Sequence, residues 1–443
     1  MPKHDGVRFL QPRFTRALII ENPDPELDEL LRAQGIEPER LPETATLDRQ
    51  FIIDRLRDGQ HDLLFKRSRF EVDAEVLAAS ENLAAVMLCC IGDDSVDKVA
   101  CANEGIMVMN DPISNGRSVV ELVFGELICL SRRIFDAVEK TRDSRWTKDS
   151  IRRYELKGKT LGIIGLGNIG KAVAQMARAL EMDVVFYDNR ELSREVGTTL
   201  GWTFAKSVDE VFRLSDFVTV HVSAEDHKGR TNKHLLSYQQ FAQMGADRPE
   251  NSPKIFLNLA RGFLFEPEEL KRAVRDGHIR YASVDVFPEE PGSKKDVWAN
   301  PYGDMPEIVS TPHIGAATEE AQPRIAQHMA NTARLFNLYG TVRDTVYAPG
   351  QTIGVDGAEP PSILSVVHSD KRGTKKAVAD AIFEAGFSNL ESSHRDFPKY
   401  QFAYDLNAVD QQMNETQIKA MIEAARKISG DSNAIRSVRV IPQ

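Results

Sequence analysis

The sequence has few cysteines, no long apolar run and no excess of basic residues. Four cysteines in 443 residues, Cys89, Cys90, Cys101 and Cys129, are too sparse for a disulfide framework and lack the paired spacing of metal ligands. We therefore expect a reducing, cytoplasmic location and no metal site. The first residues contain no signal-peptide apolar core, and no stretch of about 18 residues is apolar, so we expect neither export by that route nor a membrane span.

Acidic residues outnumber basic ones. Lys and Arg total 56 against 66 Asp and Glu, which gives a formal net charge of -10. A chain of this sign is poorly suited to binding a polyanion non-specifically, so we expect no nucleic-acid partner. The hydrophobic fraction of 42% beside 28% charged residues is ordinary for folded globular chains, and the length suggests two to four domains.

Short apolar segments of strand length alternate with amphipathic stretches of helix length, which indicates parallel sheets built from βαβ units. The first such series runs to Asn110. From Ser114 to about Arg142 apolar residues recur at helical spacing, which predicts one long helix leading into a second series with six strands. A further helix from Glu319 to about Tyr339 is predicted to return the chain to the first series.

The last part of the chain has a different pattern. Residues 344–362 are rich in Gly and Pro, which predicts a linker. The segments after residue 362 follow the order strand, helix, strand, strand, helix, strand, which is the ferredoxin-like order. We therefore expect a small third domain at residues 362–443.

A glycine-rich motif, GLGNIG, follows the strand LGIIG and begins a helix. In this setting Gly165 makes a tight turn, Gly167 lets the backbone approach a pyrophosphate, and Gly170 lets helix and strand pack closely. A methyltransferase or a plain tight turn also produces such a motif. Asp188 ends the next strand, where a carboxylate binds ribose hydroxyls and disfavours a 2′-phosphate, so we expect NAD rather than NADP, although Arg190 leaves NADP open.

Three polar residues, Arg261, Glu290 and His313, each follow a predicted strand or a proline turn. Hydride transfer from a secondary alcohol needs a base, a partner that sets the pKa of that base, and a cation for the carboxylate and carbonyl. His313 fits the base, Glu290 its carboxylate partner and Arg261 the bidentate cation. Each is also common in turns and on surfaces, so the prediction depends on their joint appearance after the glycine motif.

The motifs GLGNIG, NLARG, DVFPEEP and TPHIGAAT resemble those of the D-isomer-specific 2-hydroxyacid dehydrogenase family over roughly residues 15–345. The resemblance implies a Rossmann-type doubly wound domain at 114–311, inserted in a discontinuous flavodoxin-like substrate domain at 15–113 and 312–345. It implies a cleft that closes on the substrate. Residues 346–361 remain the linker, and residues 362–443 resemble an ACT-like ferredoxin-fold regulatory domain.

The resemblance also implies cofactor contacts. Asn168 and Ile169 are expected at the pyrophosphate, Asp285 at the nicotinamide carboxamide, and Gly315 and Ala316 beside the nicotinamide ring. Three further residues are expected on the cofactor side: His221, which is almost as consistent with a core histidine, and Leu259 and Ala260 of the NLARG block.

Within the family the chain is most similar to the branch whose substrate is a phosphorylated three-carbon 2-hydroxy acid. The residues expected to bind this small anion are Arg67, Ser68, Arg69, Gly92, Asn115 and Lys148. The resemblance further implies a homodimer or homotetramer. In the ACT-like domain Asp370 and Arg372 replace an amide and a proline of the usual effector loop, so an amino-acid effector and a purely structural role both stay open.

The expected reaction is therefore the NAD-dependent oxidation of 3-phosphoglycerate, with His313 and Glu290 as the acid/base pair. Three alternatives remain: reduction of glyoxylate or hydroxypyruvate by the same chemistry, a non-enzymatic NAD-sensing protein of the corepressor kind, and more remotely a methyltransferase. The cations Arg67 and Arg69 favour a phosphorylated substrate, because a short unphosphorylated acid gives them nothing to bind.

Overall fold

The computed structural model describes residues 6–42, 48–291, 296–355 and 360–443. The chain divides into two compact units. Unit 1 comprises Met1–Ser114 and Gln322–Gln443, and unit 2 comprises Asn115–Ala321. Among the described residues no helix is both long and apolar enough to cross a membrane.

The first part of unit 1 forms a five-stranded parallel sheet with the order β3-β2-β4-β5-β6. This is the flavodoxin-like order, as expected. Side chains of Asp48, Asp73 and Asp97 cap the helices that follow them. The elements are β1 (Arg8–Phe9), β2 (Arg16–Ile19), α1 (Glu26–Arg32), β3 (Glu37–Arg40), α2 (Arg49–Gly59), β4 (Leu63–Lys66), α3 (Ala74–Ala78), β5 (Ala85–Leu88), α4 (Lys98–Glu104) and β6 (Met107–Asn110).

Unit 2 contains a seven-stranded parallel sheet with the order β13-β12-β11-β10-β7-β8-β9. The doubly wound Rossmann-type fold is thus confirmed. The elements are α5 (Gly116–Arg132), α6 (Ile134–Arg142), β7 (Thr160–Ile164), α7 (Asn168–Ala179), β8 (Asp183–Tyr187), α8 (Glu191–Thr199), β9 (Thr203–Phe204), α9 (Val208–Leu214), β10 (Phe217–Val220), α10 (Tyr238–Ala242), β11 (Ile255–Asn258), α11 (Pro267–Arg275), β12 (Tyr281–Val284) and β13 (Ile308–Ser310).

Two expectations for unit 2 were wrong in detail. The predicted single helix at 114–142 is two helices, because Arg133 adopts a left-handed φ of 53° that ends α5 and begins α6. The predicted sheet of six strands has a seventh, β13, whose three residues are too short to give a clear apolar pattern.

The last part of unit 1 contains α12 (Ala321–Tyr339), β14 (Val342–Arg343), β15 (Thr352–Ile353), β16 (Ser362–Ser369), α13 (Thr374–Glu384), β17 (Asn389–Phe397), β18 (Phe402–Val409), α14 (Glu415–Ser429) and β19 (Ile435–Pro442). Strands β16 to β19 form an antiparallel sheet in the order β19-β16-β18-β17, which is the expected ferredoxin-like arrangement. The N-terminal strand β1, absent from the sequence prediction, extends this sheet by pairing parallel to β19.

The segment expected to be a linker packs against other parts of unit 1, to which it belongs. Strands β14 and β15 pair antiparallel, and the amide of Val346 donates to the carbonyl of Val108 over 3.1 Å. The ring of Tyr347 is buried among Phe397, Tyr400 and Phe402. The described part of residues 346–361 is therefore packed rather than a free tether; the remainder, residues 356–359, lies outside the described residues.

Candidate active site

The glycine-rich turn at the end of β7 is shaped by close backbone contacts. Gly165 has a φ of +92°, and a Cβ there would lie 2.4 Å from the carbonyl oxygen of His221. A Cβ on Gly170 would lie 2.1 Å from the carbonyl oxygen of Gly165, so side chains are excluded at both positions. At Gly167 the nearest atom to such a Cβ is 3.8 Å away, on Arg190.

Gly167 also caps α7, whose first turn contains the expected residues Asn168 and Ile169. The open space above Gly167 lies at a helix N-terminus, where backbone N–H groups favour a phosphate. The turn therefore fits the pyrophosphate of a dinucleotide, and adding a side chain at Gly167 would fill the approach to that helix end.

Asp188, just after β8, is buried and fixed in orientation. One carboxylate oxygen accepts from the amide of Leu166 at 2.8 Å and from Arg190 Nη2 at 2.7 Å, while the other accepts from the amide of Arg190 at 2.8 Å. Burial opposes ionisation, but the hydrogen bonds from Arg190 lower the pKa of Asp188 below its ordinary value. The carboxylate is ionised, and Arg190 pairs with it.

His221 follows β10, beside β7 at the centre of the sheet. Its Nε2 lies 3.0 Å from the Thr219 hydroxyl, and burial lowers the pKa of the ring to about 3, so the ring is neutral. The expected cofactor-side residues Leu259 and Ala260 are buried after β11.

His313 and Glu290 are in direct contact. His313 Nδ1 lies 2.7 Å from Glu290 Oε2, and the other carboxylate oxygen accepts from the amide of Phe287 at 3.1 Å. The hydrogen bond to Glu290 raises the pKa of His313. Burial opposes ionisation of Glu290, but the hydrogen bond from His313 lowers the pKa of that carboxyl group. Because Nδ1 is engaged, Nε2 of the half-exposed ring is the nitrogen placed to exchange a proton.

The turn that contains His313 has a strained backbone and is fixed by hydrogen bonds to a buried carboxylate. His313 has a left-handed φ of 54°, and its amide donates to the carbonyl of Thr311 at 3.0 Å. The buried carboxylate of Asp285 accepts from the Thr311 hydroxyl at 2.6 Å, from the amide of Ile314 at 2.8 Å and from that of Gly315 at 2.9 Å. The expected contact of Asp285 with the nicotinamide carboxamide stays a prediction, and the structure adds that this carboxylate fixes the turn of Thr311–Gly315. Ala316 follows this turn.

Glu126 is a neighbouring residue that sequence reasoning missed. It lies on α5, accepts from the Ser283 hydroxyl at 2.5 Å, and is 3.4 Å from the Thr311 hydroxyl. Burial raises the pKa of Glu126 to about 7. The apolar stretch SVVELVFGELICL contains two carboxyl groups, Glu121 and Glu126, and the position of Glu126 among apolar residues was the signal available in the sequence.

Arg261 is positioned by the turn that follows β11. The side chain of Asn258 donates to the carbonyl of Arg261 at 3.0 Å and accepts from the amide of Ala260 at 3.1 Å. A Cβ on Gly262 would lie 1.9 Å from the carbonyl carbon of Phe287, so this turn packs directly against the loop that leads to Glu290. The positive charge of Arg261 acts on both partners: it adds to the lowering of the pKa of Glu290, and it opposes in part the rise that Glu290 causes in the pKa of His313. The three predicted catalytic residues therefore share one part of unit 2.

The predicted substrate-side residues Arg67, Ser68 and Arg69 lie in unit 1, directly after β4. Their loop is held by Glu21, whose buried carboxylate accepts from the amides of Arg67 at 2.7 Å, Arg69 at 2.6 Å and Phe70 at 2.7 Å. Sequence reasoning missed Glu21, which lies just after β2 and is far from this loop in the chain. Gly92 follows β5 in the same sheet.

The other two substrate candidates lie in unit 2. Asn115 caps α5, and its buried Oδ1 has no hydrogen-bond partner among the described residues. Lys148 lies in an exposed segment after α6. The two therefore differ in character: Asn115 is buried and fixed in backbone position, whereas Lys148 extends into solvent.

The profile of the D-isomer specific 2-hydroxyacid dehydrogenase NAD-binding domain matches residues 124–315. The chain is 31% identical over 425 residues to D-3-phosphoglycerate dehydrogenase 2 of Saccharomyces cerevisiae, covering 93% of this chain and 85% of that protein. It is 30% identical to the Escherichia coli K12 D-3-phosphoglycerate dehydrogenase, covering 94% and 96%. The chain belongs to the D-isomer specific 2-hydroxyacid dehydrogenase family.

A solved structure from Thermus thermophilus is similar to this chain, with a TM-score of 0.59, 27% identity, and coverage of 72% of this chain and 95% of that one. The range that matches the NAD-binding domain, residues 124–315, includes the glycine turn and the residues Asp188, Arg261, Glu290 and His313. The protein is thus an NAD-dependent oxidoreductase of the D-2-hydroxyacid dehydrogenase family.

Proposed function

We propose that the protein oxidises D-3-phosphoglycerate to 3-phosphohydroxypyruvate with NAD, the first reaction of the phosphorylated route to serine, and catalyses the reverse reduction. The observation that carries this proposal is the His313–Glu290 contact of 2.7 Å, in a chain whose near-full-length relatives are named for that activity.

The catalytic steps follow from the positions of the side chains. NAD, when bound, supplies the acceptor for the hydride that leaves C2 of the substrate. His313 Nε2 accepts the proton of the C2 hydroxyl as the carbonyl forms, and Glu290 at Nδ1 stabilises the resulting imidazolium. The Arg261 guanidinium binds the substrate carboxylate and the carbonyl oxygen, for which its planar donor geometry is suited. In the reduction, the imidazolium of His313 returns the proton.

The remaining expected contacts belong to the same proposal. Asn168 and Ile169 bind the pyrophosphate, Asp188 the adenosine ribose, and the residues around Gly315 line the nicotinamide. Arg67, Ser68 and Arg69 bind the substrate phosphate, with Gly92, Asn115 and Lys148 as further contacts. The hydrogen bonds from three backbone amides to Glu21 support a preformed phosphate loop, because they fix its backbone before any anion binds.

The test is a comparison of kcat/KM for NADH-dependent reduction of 3-phosphohydroxypyruvate, hydroxypyruvate and glyoxylate. One charge-assisted contact contributes about 1.5 to 3 kcal/mol, so we expect at least a roughly tenfold preference for the phosphorylated acid. Arg67→Ala should narrow that preference, while the control Arg57→Ala, on the exposed face of α2, should leave it intact. Equal rates for hydroxypyruvate would indicate a reductase of the glyoxylate and hydroxypyruvate kind. Normal NADH binding without reduction of any acid would indicate an NAD-sensing protein.

We also propose that the protein is a homo-oligomer. Unit 2 exposes large apolar side chains on α5, α6 and the segment after them: Ile128, Ile134, Phe135, Val138, Trp146 and Ile151. Three of these, Ile128, Ile134 and Val138, line one surface depression. Such a cluster is typical of a surface that a second copy covers. Measurement of the molar mass in solution tests this; Val138→Glu should lower the mass of the particle, and a monomeric wild-type protein would contradict it.

The cytoplasm is the proposed location, since all four cysteines are free thiols. For the C-terminal domain, regulation by a small amino acid is the proposed role. Kinetics with and without serine test it: reduced activity with serine supports an effector site, and unchanged activity supports the structural role.

A further inference from the structure

Three side chains in the C-terminal sheet share one face although they are far apart in the sequence. His394 on β17 pairs directly with Asp405 on β18, and Asp405 pairs on its other side with Val366 of β16. His368 lies two residues beyond Val366 on the same strand. Because residues i and i+2 of a strand point to the same side, His368, His394 and Asp405 all project from one face.

The three side chains converge to within coordination distance. His368 Nε2 lies 3.1 Å from Asp405 Oδ2, and His394 Nδ1 lies 2.5 Å from Asp405 Oδ1. One ligand atom from each residue falls within 4.8 Å of the other two. His368 and Asp405 are buried, and the His394 side chain is 18% exposed, so the cluster has one side open towards solvent.

The other ring nitrogens also face acceptors. His368 Nδ1 lies 2.7 Å from the carbonyl oxygen of Ser369, and His394 Nε2 lies 2.9 Å from Asp396 Oδ1. All four ring nitrogens therefore point at oxygens that act only as acceptors while the carboxyl groups are ionised. A neutral imidazole has one N–H, so two neutral rings supply two donors for four acceptors.

Two arrangements satisfy this geometry. In the first, both rings are imidazolium ions, which places two like charges 5.8 Å apart between ring centroids, one of them on the buried His368. In the second, both rings are neutral, the outer N–H groups donate to Ser369 and Asp396, and the two inner nitrogens and the carboxylate share a cation. The second is the usual surrounding of a metal-bound histidine, whose free N–H donates to a backbone carbonyl or a carboxylate.

We propose that His368 Nε2, His394 Nδ1 and the Asp405 carboxylate bind one divalent transition-metal ion of the zinc class. Two imidazoles and a carboxylate are ligands that Zn²⁺, Co²⁺ and Ni²⁺ prefer, whereas Ca²⁺ and Mg²⁺ prefer oxygen. Three protein ligands leave a position for water on the side of His394. The ion would join β16, β17 and β18 and fix the turn from β16 into α13.

Sequence patterns did not indicate this site. Metal motifs are recognised from short spacings, and here the ligands lie on three strands that only the sheet brings together. The expectation of no metal site rested on the absence of such spacings.

The test uses the full-length, untagged protein, freed of metal by a chelator and then titrated with Co²⁺. We expect one ion per chain, with visible absorption bands of a nitrogen- and oxygen-ligated Co²⁺, displaced by one equivalent of Zn²⁺. His394→Gln and Asp405→Asn should abolish the bands. Asp396→Ala, which removes only the acceptor of the outer N–H, should weaken binding by roughly 10- to 100-fold. The matched control is His278→Gln, a histidine of unit 2 that packs against Tyr238, and it should bind as the wild type does.

NADH binding by unit 2 and the far-ultraviolet circular dichroism report whether each variant is folded. Loss of the Co²⁺ bands in folded His394→Gln with wild-type NADH affinity supports the site. Wild-type protein without stoichiometric metal binding overturns it, as does unchanged binding in both ligand variants. Nitrogen chemical shifts of the histidines give a second readout: doubly protonated His368 and His394 in the presence of Zn²⁺ would establish the imidazolium arrangement instead.

Discussion

Replacement of Glu290 by Gln tests the coupling between the two proposed catalytic groups, Glu290 and His313. The carboxylate lies 2.7 Å from His313 Nδ1, and in the proposed mechanism it stabilises the imidazolium that forms during oxidation. A hydrogen bond to a charged group contributes about 1.5 to 3 kcal/mol. At about 1.36 kcal/mol per tenfold in rate, Glu290→Gln should lower kcat roughly 10- to 150-fold. Because the His313 side chain is half exposed, solvent screening favours the lower end of that range.

The sign of the pH dependence gives a sharper assay. In the proposed mechanism oxidation needs neutral His313, so the rate of oxidation should fall as the pH drops through the pKa that Glu290 raises. In Glu290→Gln this pKa decreases, and the acidic limb of the kcat/KM profile should move to lower pH. In the proposed mechanism the reduction needs protonated His313. In Glu290→Gln the rate of reduction should therefore decline with rising pH, and this decline should begin at a lower pH than in the wild type. The neighbouring Glu289, exposed in the same loop, provides the control Glu289→Gln. A limb that stays in place or moves to higher pH would refute the pairing.

Two further predictions concern the fold around the site. Gly262→Ala places a Cβ 1.9 Å from the Phe287 carbonyl carbon, so it should lower the free energy of unfolding by about 1 to 3 kcal/mol and displace Arg261. Thermal denaturation and kcat/KM measure the two effects. The control is Gly125→Ala, whose added Cβ would have no atom within 4 Å. Arg439→Met removes the hydrogen bonds that the buried guanidinium donates to the carbonyls of Gln11, Phe336 and Asn337, so urea denaturation should show a loss of at least about 2 kcal/mol. The control Arg395→Met, at an exposed position, should stay near the wild type. Wild-type stability in Gly262→Ala or Arg439→Met would contradict these assignments.

Most of the parallel strands were predictable because they are buried on both faces and therefore consist of continuous apolar residues. Strand β3 was missed because its sequence, EPER, is polar and its position depends on backbone pairing with β2. Strand β1 was missed because its partner, β19, lies at the other end of the chain. The break at Arg133 has no sequence signal, since arginine is a good helix former.

The candidate catalytic residues could be named from the sequence because each lies in a short motif at the end of a strand or in a proline turn. Buried carboxylates that fix neighbouring parts of the structure could not be named, because they act across long sequence separations. Glu21 fixes the loop of Arg67–Phe70, and Glu126 contacts Ser283 from α5. The convergence of His368, His394 and Asp405 depends in the same way on the register of three strands.

The kinetics of His313→Ala with 3-phosphohydroxypyruvate and NADH test the proposed acid/base role of His313 directly. Loss of a general acid or base costs about 10²- to 10⁴-fold in rate, and NADH binding does not need this side chain. We therefore predict that kcat falls by that factor while the dissociation constant of NADH stays within about twofold of the wild type. Turnover equal to that of the wild type would remove His313 from the reaction and contradict the proposed mechanism.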